Sequence, residues 1–253
     1  MRKFNVIAGI LGLGLGFAAA APAANAASLI PQQEGEIRLT NLDVLDENQA
    51  IDTSGLGFSV TSLEFDDVEA PGIEYGLSRL FIDDAATENN YGNGFIKFST
   101  GDAGTNAGFG EYWLRAAAIE LDENGNVDKA SEGGKLEVGR FLFEFERELA
   151  EITLDFFDVE SLGSGILEVN GQTVTDQMLA IGPDGNTQSL TLNNVNSLVL
   201  QLGNTNGVGS GDGVLISGVQ AVQSVPEPTT TFSLGALAVA GMFGVKKRKN
   251  LKK

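Results

Sequence analysis

The sequence contains no cysteine and no histidine, and each absence excludes a class of chemistry. Without cysteine there is no disulfide, no thiol nucleophile and no Cys-ligated metal. Without histidine the chain lacks the commonest general base and the commonest ligand of transition metals, so Ser-His-Asp and Cys-His mechanisms are impossible. Carboxylate, tyrosine, Ser/Lys or calcium-assisted chemistry stays open, and the stability of the domain must come from its apolar core.

Basic residues are also scarce once the two ends of the chain are set aside. Residues 28–225 contain eight Lys and Arg against 33 Asp and Glu, a formal charge of −25, compared with −18 for the whole chain. Between Glu148 and Val225 there is no Lys or Arg at all. Such a surface repels nucleic acid and anionic lipid, and it attracts divalent cations and basic partners. Nucleic-acid binding is therefore excluded.

The first 26 residues have the three parts of a secretory signal peptide. Positions 2 and 3 are basic, residues 6–21 are apolar, and Ala24-Asn25-Ala26 fits the small-x-small cleavage rule. We expect cleavage after Ala26, with Ala27 as an alternative by one position. An uncleaved N-terminal membrane helix is the competing interpretation. The segment predicts export through the secretion translocon.

The C-terminal end also has three parts, in a defined order. A proline-containing motif comes first, an uncharged apolar run over residues 229–245 follows, and a basic cluster at 246–253 ends the chain. The apolar run has 17 residues, the lower limit for crossing a ~30 Å hydrocarbon core, and the basic cluster marks the cytoplasmic side. The order predicts a short transmembrane helix that stops transfer and keeps the preceding domain outside the cytoplasm. The motif residues are Val225, Pro226, Glu227 and Pro228, and the stop-transfer cluster begins with Lys246, Lys247, Arg248 and Lys249.

This end resembles the PEP-CTERM sorting signal, in which Pro-Glu-Pro precedes a helix of small residues and a Lys/Arg cluster. The resemblance covers residues 225–253 and implies a protein that is secreted, held briefly in the inner membrane and processed by an exosortase. It further implies a final location at the cell surface or in an extracellular polysaccharide matrix. We expect the mature chain to end near residues 226–231. An ordinary C-terminal membrane anchor with a proline-containing linker is the alternative.

The pattern between these signals predicts one acidic domain of strands over residues 27–224. About ten to twelve short apolar or alternating runs occur there, without a sustained helical period. Asn-Gly pairs at 124–125 and 170–171 predict tight hairpins. We expect an all-β, antiparallel sandwich, and a jelly-roll topology is favoured over an immunoglobulin-like one. The side chains predicted to face the core near the middle of the domain are Phe141, Phe143, Phe145, Ile152, Leu154 and Phe156.

The tetrapeptide Leu136-Glu137-Val138-Gly139 stands directly before the Phe-rich strand. Together with the C-terminal signal, it resembles the signature of the LEVG family of PEP-CTERM proteins. That family is defined by sequence, so the resemblance implies no particular activity. In physical terms, we expect Gly139 to occupy a turn or bulge position ahead of the strand.

Oxygen-bearing side chains at every second position form a first candidate calcium loop. The four residues are Asp122, Asn124, Asn126 and Asp128. The pattern departs from an EF-hand, because glycine stands at the fourth loop position instead of the sixth and Gly133 replaces the bidentate glutamate at the twelfth. A polar hairpin tip without an ion is the alternative.

Two further acidic sets are candidates for a calcium ion. Jelly-roll carbohydrate-binding modules commonly hold a structural calcium between their first and last strands, and this similarity points to Asp43, Asp46 and Asp212. The second set places Asp212 beside three acids that follow the Phe-rich region. For each of these acids, a solvated carboxylate is the alternative. The three acids are Asp155, Asp158 and Glu160.

Aromatic side chains are the candidate contacts for a sugar. Sugar rings stack on flat aromatic faces, and Tyr112 and Trp113 stand together in a strand-like run, with Tyr75 and Tyr91 as further candidates. In that run Trp113 points to the opposite face from Tyr112. Packing in the core is the alternative role for Trp113.

These features predict an exported, exosortase-sorted protein of the cell surface or extracellular matrix that binds carbohydrate or calcium and is not an enzyme. The expected partners are the translocon, an exosortase-type processing enzyme, the inner membrane and extracellular polysaccharide. A glycoside hydrolase or lyase that uses paired carboxylates is the alternative. The spacing of the acids singles out no catalytic pair, and 33 acids will include such pairs by chance.

Overall fold

Regular structure is almost entirely strand in the part of the chain that the structure describes. The computed structural model describes residues 27–65, 74–84, 86–92, 96–98, 112–121, 124, 127–130, 137–183, 185–203 and 213–220. Within these ranges the helical segments are two 3₁₀ turns, Glu47–Gln49 and Ser54–Leu56. The predicted all-β class is therefore confirmed.

Both predicted sorting segments, residues 1–26 and 225–253, lie outside the described residues, which include no helix long and apolar enough to span a bilayer. The strands are β1 (Ala27–Ser28), β2 (Gly35–Ile37), β3 (Ala50–Ile51), β4 (Phe58–Leu63), β5 (Glu74–Asp84), β6 (Asn89–Tyr91), β7 (Ile96–Phe98), β8 (Tyr112–Leu121), β9 (Val127–Ala130), β10 (Gly139–Phe157), β11 (Gly165–Val169), β12 (Gln172–Thr173), β13 (Thr187–Leu202) and β14 (Gly213–Gln220).

Twelve of these strands are hydrogen-bonded into one sheet. Its order is β12-β11-β13-β10-β14-β8-β5-β2-β3, with β1 added to β14, β4 to β10 and β9 to β8. β6 and β7 form a separate hairpin. The pairs are antiparallel except for β2 with β3, which are parallel. The order brings together strands that are far apart in sequence.

The 19-residue strand β10 changes partner along its length. Its first part, from Arg140 to Phe145, pairs with β4, and its second part, from Leu149 to Phe157, pairs with β14. β13 follows β10 along both parts, but the register shifts between Glu144 and Leu149. Such a shift is a β-bulge, which leaves extra residues unpaired and bends the strand. We call residues 145–148 the β10 bulge.

Both parts of β10 face the same apolar core. The alternation of buried and exposed side chains continues on each side of the β10 bulge, because apolar residues keep the two-residue period of a strand. Phe145 is half-buried and packs on the edge of this core, 6.2 Å from the Phe58 ring centroid. The predicted inward positions are thus confirmed. The fully buried members are Phe141, Phe143, Ile152, Leu154 and Phe156.

Two predicted hairpins are also confirmed. Asn170 and Gly171 join β11 to β12 with φ angles of 52° and 71°. Two successive positive φ angles define the type I′ turn, which asparagine and glycine tolerate best. The other hairpin joins β8 to β9 around Asn124, which is exposed.

Truncation of Phe141 tests the core assignment. Because its ring is fully buried, Phe141→Ala should lower the free energy of unfolding by about 3–5 kcal/mol in urea denaturation. Leu142 is the matched control: it is half-buried on the opposite face of β10, and Leu142→Ala should cost less than about 2 kcal/mol. Equal losses at the two positions would contradict the assignment of faces.

Candidate functional site

The outer face of β5 and β8, opposite the main core, carries buried charges. Arg79 and Glu36 form an ion pair at 2.5 Å, and Arg115 and Asp83 form a second at 2.8 Å. These four residues are between 1% and 7% exposed. Glu137 also accepts a hydrogen bond from Arg115. We call these five residues the buried charge cluster.

The β6–β7 hairpin covers this face and accounts for its burial. Phe81 contacts the rings of Tyr91 and Phe98, with centroids 4.6 and 5.3 Å apart. The Arg115 guanidinium lies 4.3 Å from the centroid of the Phe98 ring, within the range of a cation–π interaction. The hairpin thus adds a second apolar layer, and its aromatic rings help to hold a buried cation.

The burial of these aromatic side chains corrects the prediction of an aromatic surface that binds sugar. Trp113 is 1% exposed, directly opposite Asp83 on the covered face, so its ring offers no free surface. Tyr91 is also 1% exposed, and Tyr112 is half-buried against the main core. The side chain of Tyr75 lies outside the described part of the structure. At Trp113 the structure supports the alternative, packing in the interior, because a buried indole has no free face on which a sugar ring could stack.

Burial sets the protonation behaviour of the buried charge cluster. It raises the pKa of Glu36 and of Asp83, because removing a carboxylate from water disfavours its charged form. Arg79 opposes this shift at Glu36, and Arg115 opposes it at Asp83, without overcoming it. Burial likewise raises the pKa of the Tyr91 hydroxyl. The cluster is interpreted as structural, because four of its five residues are at most 7% exposed and their charges are paired with one another.

The LEVG segment contributes to this cluster and to the packing beside it. Glu137 binds Arg115, and the Val138 carbonyl accepts a 2.6 Å hydrogen bond from the Ser78 hydroxyl. Gly139 was expected at a turn or bulge, but the structure places it as the first residue of β10, paired with Leu202. The reason for glycine is close packing: a Cβ at this position would lie 2.6 Å from the Phe141 ring.

An open cleft lies where the Ser54–Leu56 turn meets the β10 bulge. The turn is closed by hydrogen bonds from Leu56 N to Thr53 O, 2.9 Å, and from Gly57 N to Ser54 O, 3.0 Å. Gly57 has φ 81°, a left-handed conformation that glycine adopts without strain, and its carbonyl accepts a 2.9 Å bond from Glu146 N. The turn is thereby fixed against β10.

The cleft has a volume of about 240 Å³ and combines an apolar wall with a polar rim. Leu56 is 42% exposed, and the polar rim consists of the exposed residues Ser54, Glu146 and Arg147. Below it lies a small apolar cavity of about 10 Å³ that shares Leu29 and Phe145 with the cleft. The full lining of the cleft is Leu29, Ser54, Gly55, Leu56, Gly57, Phe145, Glu146, Arg147 and Leu149.

Arg147 differs from the other described cations in having no partner. Arg38 binds Glu47 at 2.5 Å, Lys97 binds Glu88 at 2.9 Å, and the two buried arginines are paired as above. Arg140 donates to the Gln201 side chain at 2.9 Å. Among the side chains that the structure describes, Arg147 is the one Lys or Arg without a hydrogen bond or ion pair. The sequence signal for it was the single basic residue in the run Phe145-Glu146-Arg147-Glu148.

The candidate calcium sets are only partly described. Asp46 accepts hydrogen bonds from the backbone and side-chain nitrogens of Asn48, both at 2.9 Å, and so caps a 3₁₀ turn. Asp43 is exposed, and its backbone carbonyl accepts from Arg79 at 2.6 Å. Asp212, Asp122 and Asn126 lie outside the described residues; Asn124 is in the β8–β9 hairpin and Asp128 in β9. Within the described ranges no three acidic side chains group as metal ligands.

Two of the three acids after the Phe-rich region accept hydrogen bonds that fix the local structure. Asp155 accepts a hydrogen bond from the Ser189 hydroxyl at 2.5 Å, across the β10–β13 pair. Asp158 has φ 56°, and its carboxylate accepts from Gly185 N at 2.6 Å. Glu160 is exposed. Asp158, which the sequence analysis gave as a candidate metal ligand, thus fixes a turn.

Comparisons of the chain with protein-family models, with curated proteins and with solved structures find no match. The cleft and the buried charge cluster are therefore interpreted from their own geometry.

Removal of Arg115 tests the buried charge cluster. Arg115→Met should lower the free energy of unfolding by about 3–5 kcal/mol, because Asp83 and Glu137 would keep buried charges without a cation. Arg147→Met is the matched control and should change stability by less than about 0.5 kcal/mol, since Arg147 is exposed and unpaired. Urea denaturation measures both, and a loss below about 1 kcal/mol for Arg115→Met would contradict the structural role.

The raised pKa values predict a pH dependence of stability. Glu36 and Asp83 bind protons more tightly in the folded state than their ordinary pKa values of 4.5 and 3.8 allow in the unfolded state. The stabilisation that these two groups add to the folded state is therefore complete below their unfolded-state pKa values. It is lost as pH rises through their folded-state pKa values. We expect the contribution of these two groups to the free energy of unfolding to increase as pH is lowered through their folded-state pKa values.

Salt separates this effect from surface repulsion. At about 1 M salt, interactions between exposed charges are screened within about 3 Å, while buried groups are screened much less. The increase should persist at high salt and become smaller in Glu36→Gln, which removes one of the two titrating groups. An increase that disappears in salt would assign the pH dependence to surface repulsion alone.

Proposed function

We propose that this chain is an exported, exosortase-sorted protein of the cell surface or extracellular matrix. The proposal comes first from the order of Val225-Pro226-Glu227-Pro228, the apolar run at 229–245 and the basic cluster, together with the secretory pattern of residues 1–26. The translocon, the inner membrane and an exosortase-type enzyme are its partners during sorting. The acidic domain is the part that remains after processing.

The pairing of β1 with β14 carries the structural support for this proposal. β1 begins at Ala27 and β14 ends at Gln220. Ala27 lies opposite Gly218 in an antiparallel pair. The two ends of the folded domain are therefore side by side. The predicted signal peptide, before its cleavage, and the predicted C-terminal helix would therefore join the domain at the same end, which suits a domain held briefly at a membrane surface.

The proposed architecture of the domain is a sandwich with jelly-roll-like topology. The bend at the β10 bulge directs the two parts of the strand toward different partners, β4 and β14, while both face one apolar core. Long strands that bend in this way pass from one layer of a sandwich to the other. The core then lies between the layers.

We propose a binding role for the domain, toward carbohydrate or calcium, in preference to catalysis. Glycoside hydrolysis needs two carboxylates about 5–9.5 Å apart. Among the described residues that line the cleft, Glu146 is the one carboxylate. The buried carboxylates Glu36 and Asp83 are engaged with arginines and covered by the β6–β7 hairpin. An amphipathic cleft with an unpaired cation is better suited to binding a ligand than to catalysing the cleavage of one.

The sorting proposal predicts the C-terminus of the mature protein. In a host that contains an exosortase, intact-mass spectrometry of the surface or secreted form should find a chain that ends near residues 226–231. The double variant Pro226→Ala/Pro228→Ala should keep residues 246–253 and stay in the inner-membrane fraction. Gln223→Ala, just before the motif, is the control and should be processed normally. A surface form of the natural chain that retains residues 246–253 would overturn the proposal.

A further inference from the structure

Arg147 has an unusual position for a cation in this protein. The domain has about four acids for each base, yet the guanidinium of Arg147 is left unpaired, although Glu146 and Glu148 adjoin it in sequence. It lies on the rim of the open cleft. By contrast, the exposed cations Arg38 and Lys97 form ion pairs with carboxylates. The donor groups of Arg147 are thus available to a ligand in the cleft.

The β10 bulge places complementary groups beside each other. In a regular strand, consecutive side chains point to opposite faces, but here Glu146 and Arg147 both line the cleft. A carboxylate only accepts hydrogen bonds and a guanidinium only donates them, whereas a hydroxyl does both. Two neighbouring hydroxyls on one ring can therefore satisfy both side chains. Ser54, on the Ser54–Leu56 turn, also lines the cleft.

The rest of the cleft suits the carbon face of a sugar ring. Leu56 and Phe145 present apolar surface next to the polar rim, and Phe145 is only half-buried. The volume of about 240 Å³ is below the range of about 300–1,000 Å³ that holds drug-sized ligands. A single ring of a polymer fits this size, and the residues of the polar rim are exposed.

The charge of the domain selects between neutral and acidic sugars. With a formal charge of −25 on residues 28–225, the domain repels polymers that carry carboxylates or sulfates. Glu146 adds a negative group inside the cleft itself. Arg147 is therefore better suited to donating hydrogen bonds to sugar hydroxyls than to pairing with a negatively charged sugar.

We propose that the cleft between the Ser54–Leu56 turn and the β10 bulge binds one ring of a neutral polysaccharide, with Glu146 and Arg147 on adjacent hydroxyls. The inference rests on the proposed function, because it names the sugar class and the site for a protein placed at an extracellular polysaccharide. Leu56 and Phe145 contact the carbon face of the ring.

The test uses the full chain in a zwitterionic detergent that contains no sugar. Neutral pentasaccharides built from glucose or mannose, and acidic pentasaccharides of galacturonate, are titrated separately with saturation-transfer NMR. We expect binding of a neutral oligosaccharide, with at least tenfold weaker affinity in Arg147→Ala and in Glu146→Gln, because each removes a charge-assisted hydrogen bond. Circular dichroism confirms that each variant keeps its strand content.

Lys97→Ala and Glu88→Gln are the matched controls, since they make the same charge changes at an exposed pair on the β6–β7 hairpin. Both should bind as the natural chain does. The inference is overturned if no neutral oligosaccharide binds, if binding is unchanged in Arg147→Ala and Glu146→Gln, or if the acidic oligosaccharide binds better. Normal removal of the C-terminal tail alongside any of these results would leave the sorting proposal intact and reject only the sugar site.

Discussion

The bend of β10 at its bulge is the constraint on which most of the fold depends. This strand pairs with β13 along both of its parts and exchanges β4 for β14 at the bulge, so it joins the early strands to the late ones. Its apolar residues face one core on both sides of the bend. At the same bulge, Glu146 and Arg147 both line the cleft. One irregularity in pairing therefore supports both the architecture and the candidate site.

Charge in this protein is divided between the interior and the surface. The few cations of the domain are used where an uncompensated carboxylate would be most costly, as in the pairs Arg79–Glu36 and Arg115–Asp83. Most of the acids that the structure describes are exposed or half-buried, where water solvates them. Arg147 is the exception among the described cations, because it is exposed and unpaired and its hydrogen-bond donors can reach a ligand. A strongly acidic surface is thus compatible with a selective site for a neutral ligand.

The strands of the core could be predicted because their signal is local. Phe141 and Phe143, and then Ile152 and Leu154, repeat with the period of a strand, and Asn170-Gly171 has the conformational tolerance that a tight hairpin requires. Trp113 could not be placed in the same way, because a run that alternates on one face does not show what covers the other. Its burial is a matter of tertiary packing. The β6–β7 hairpin shows how a separate segment can cover a face of β5, since its Tyr91 packs on Phe81.

The sequence alone excludes histidine and cysteine chemistry, and it indicates an acidic, strand-rich domain between two segments that are predicted to direct sorting. These properties follow from composition and local pattern. Tertiary structure alone decided which charges are buried, where Trp113 lies and which cation stays unpaired. Glu36 and Arg79 are 43 positions apart, and Asp83 and Arg115 are 32 apart. Only the pairing of distant strands brings such groups together, because local periodicity sets the face of a residue but not its neighbour.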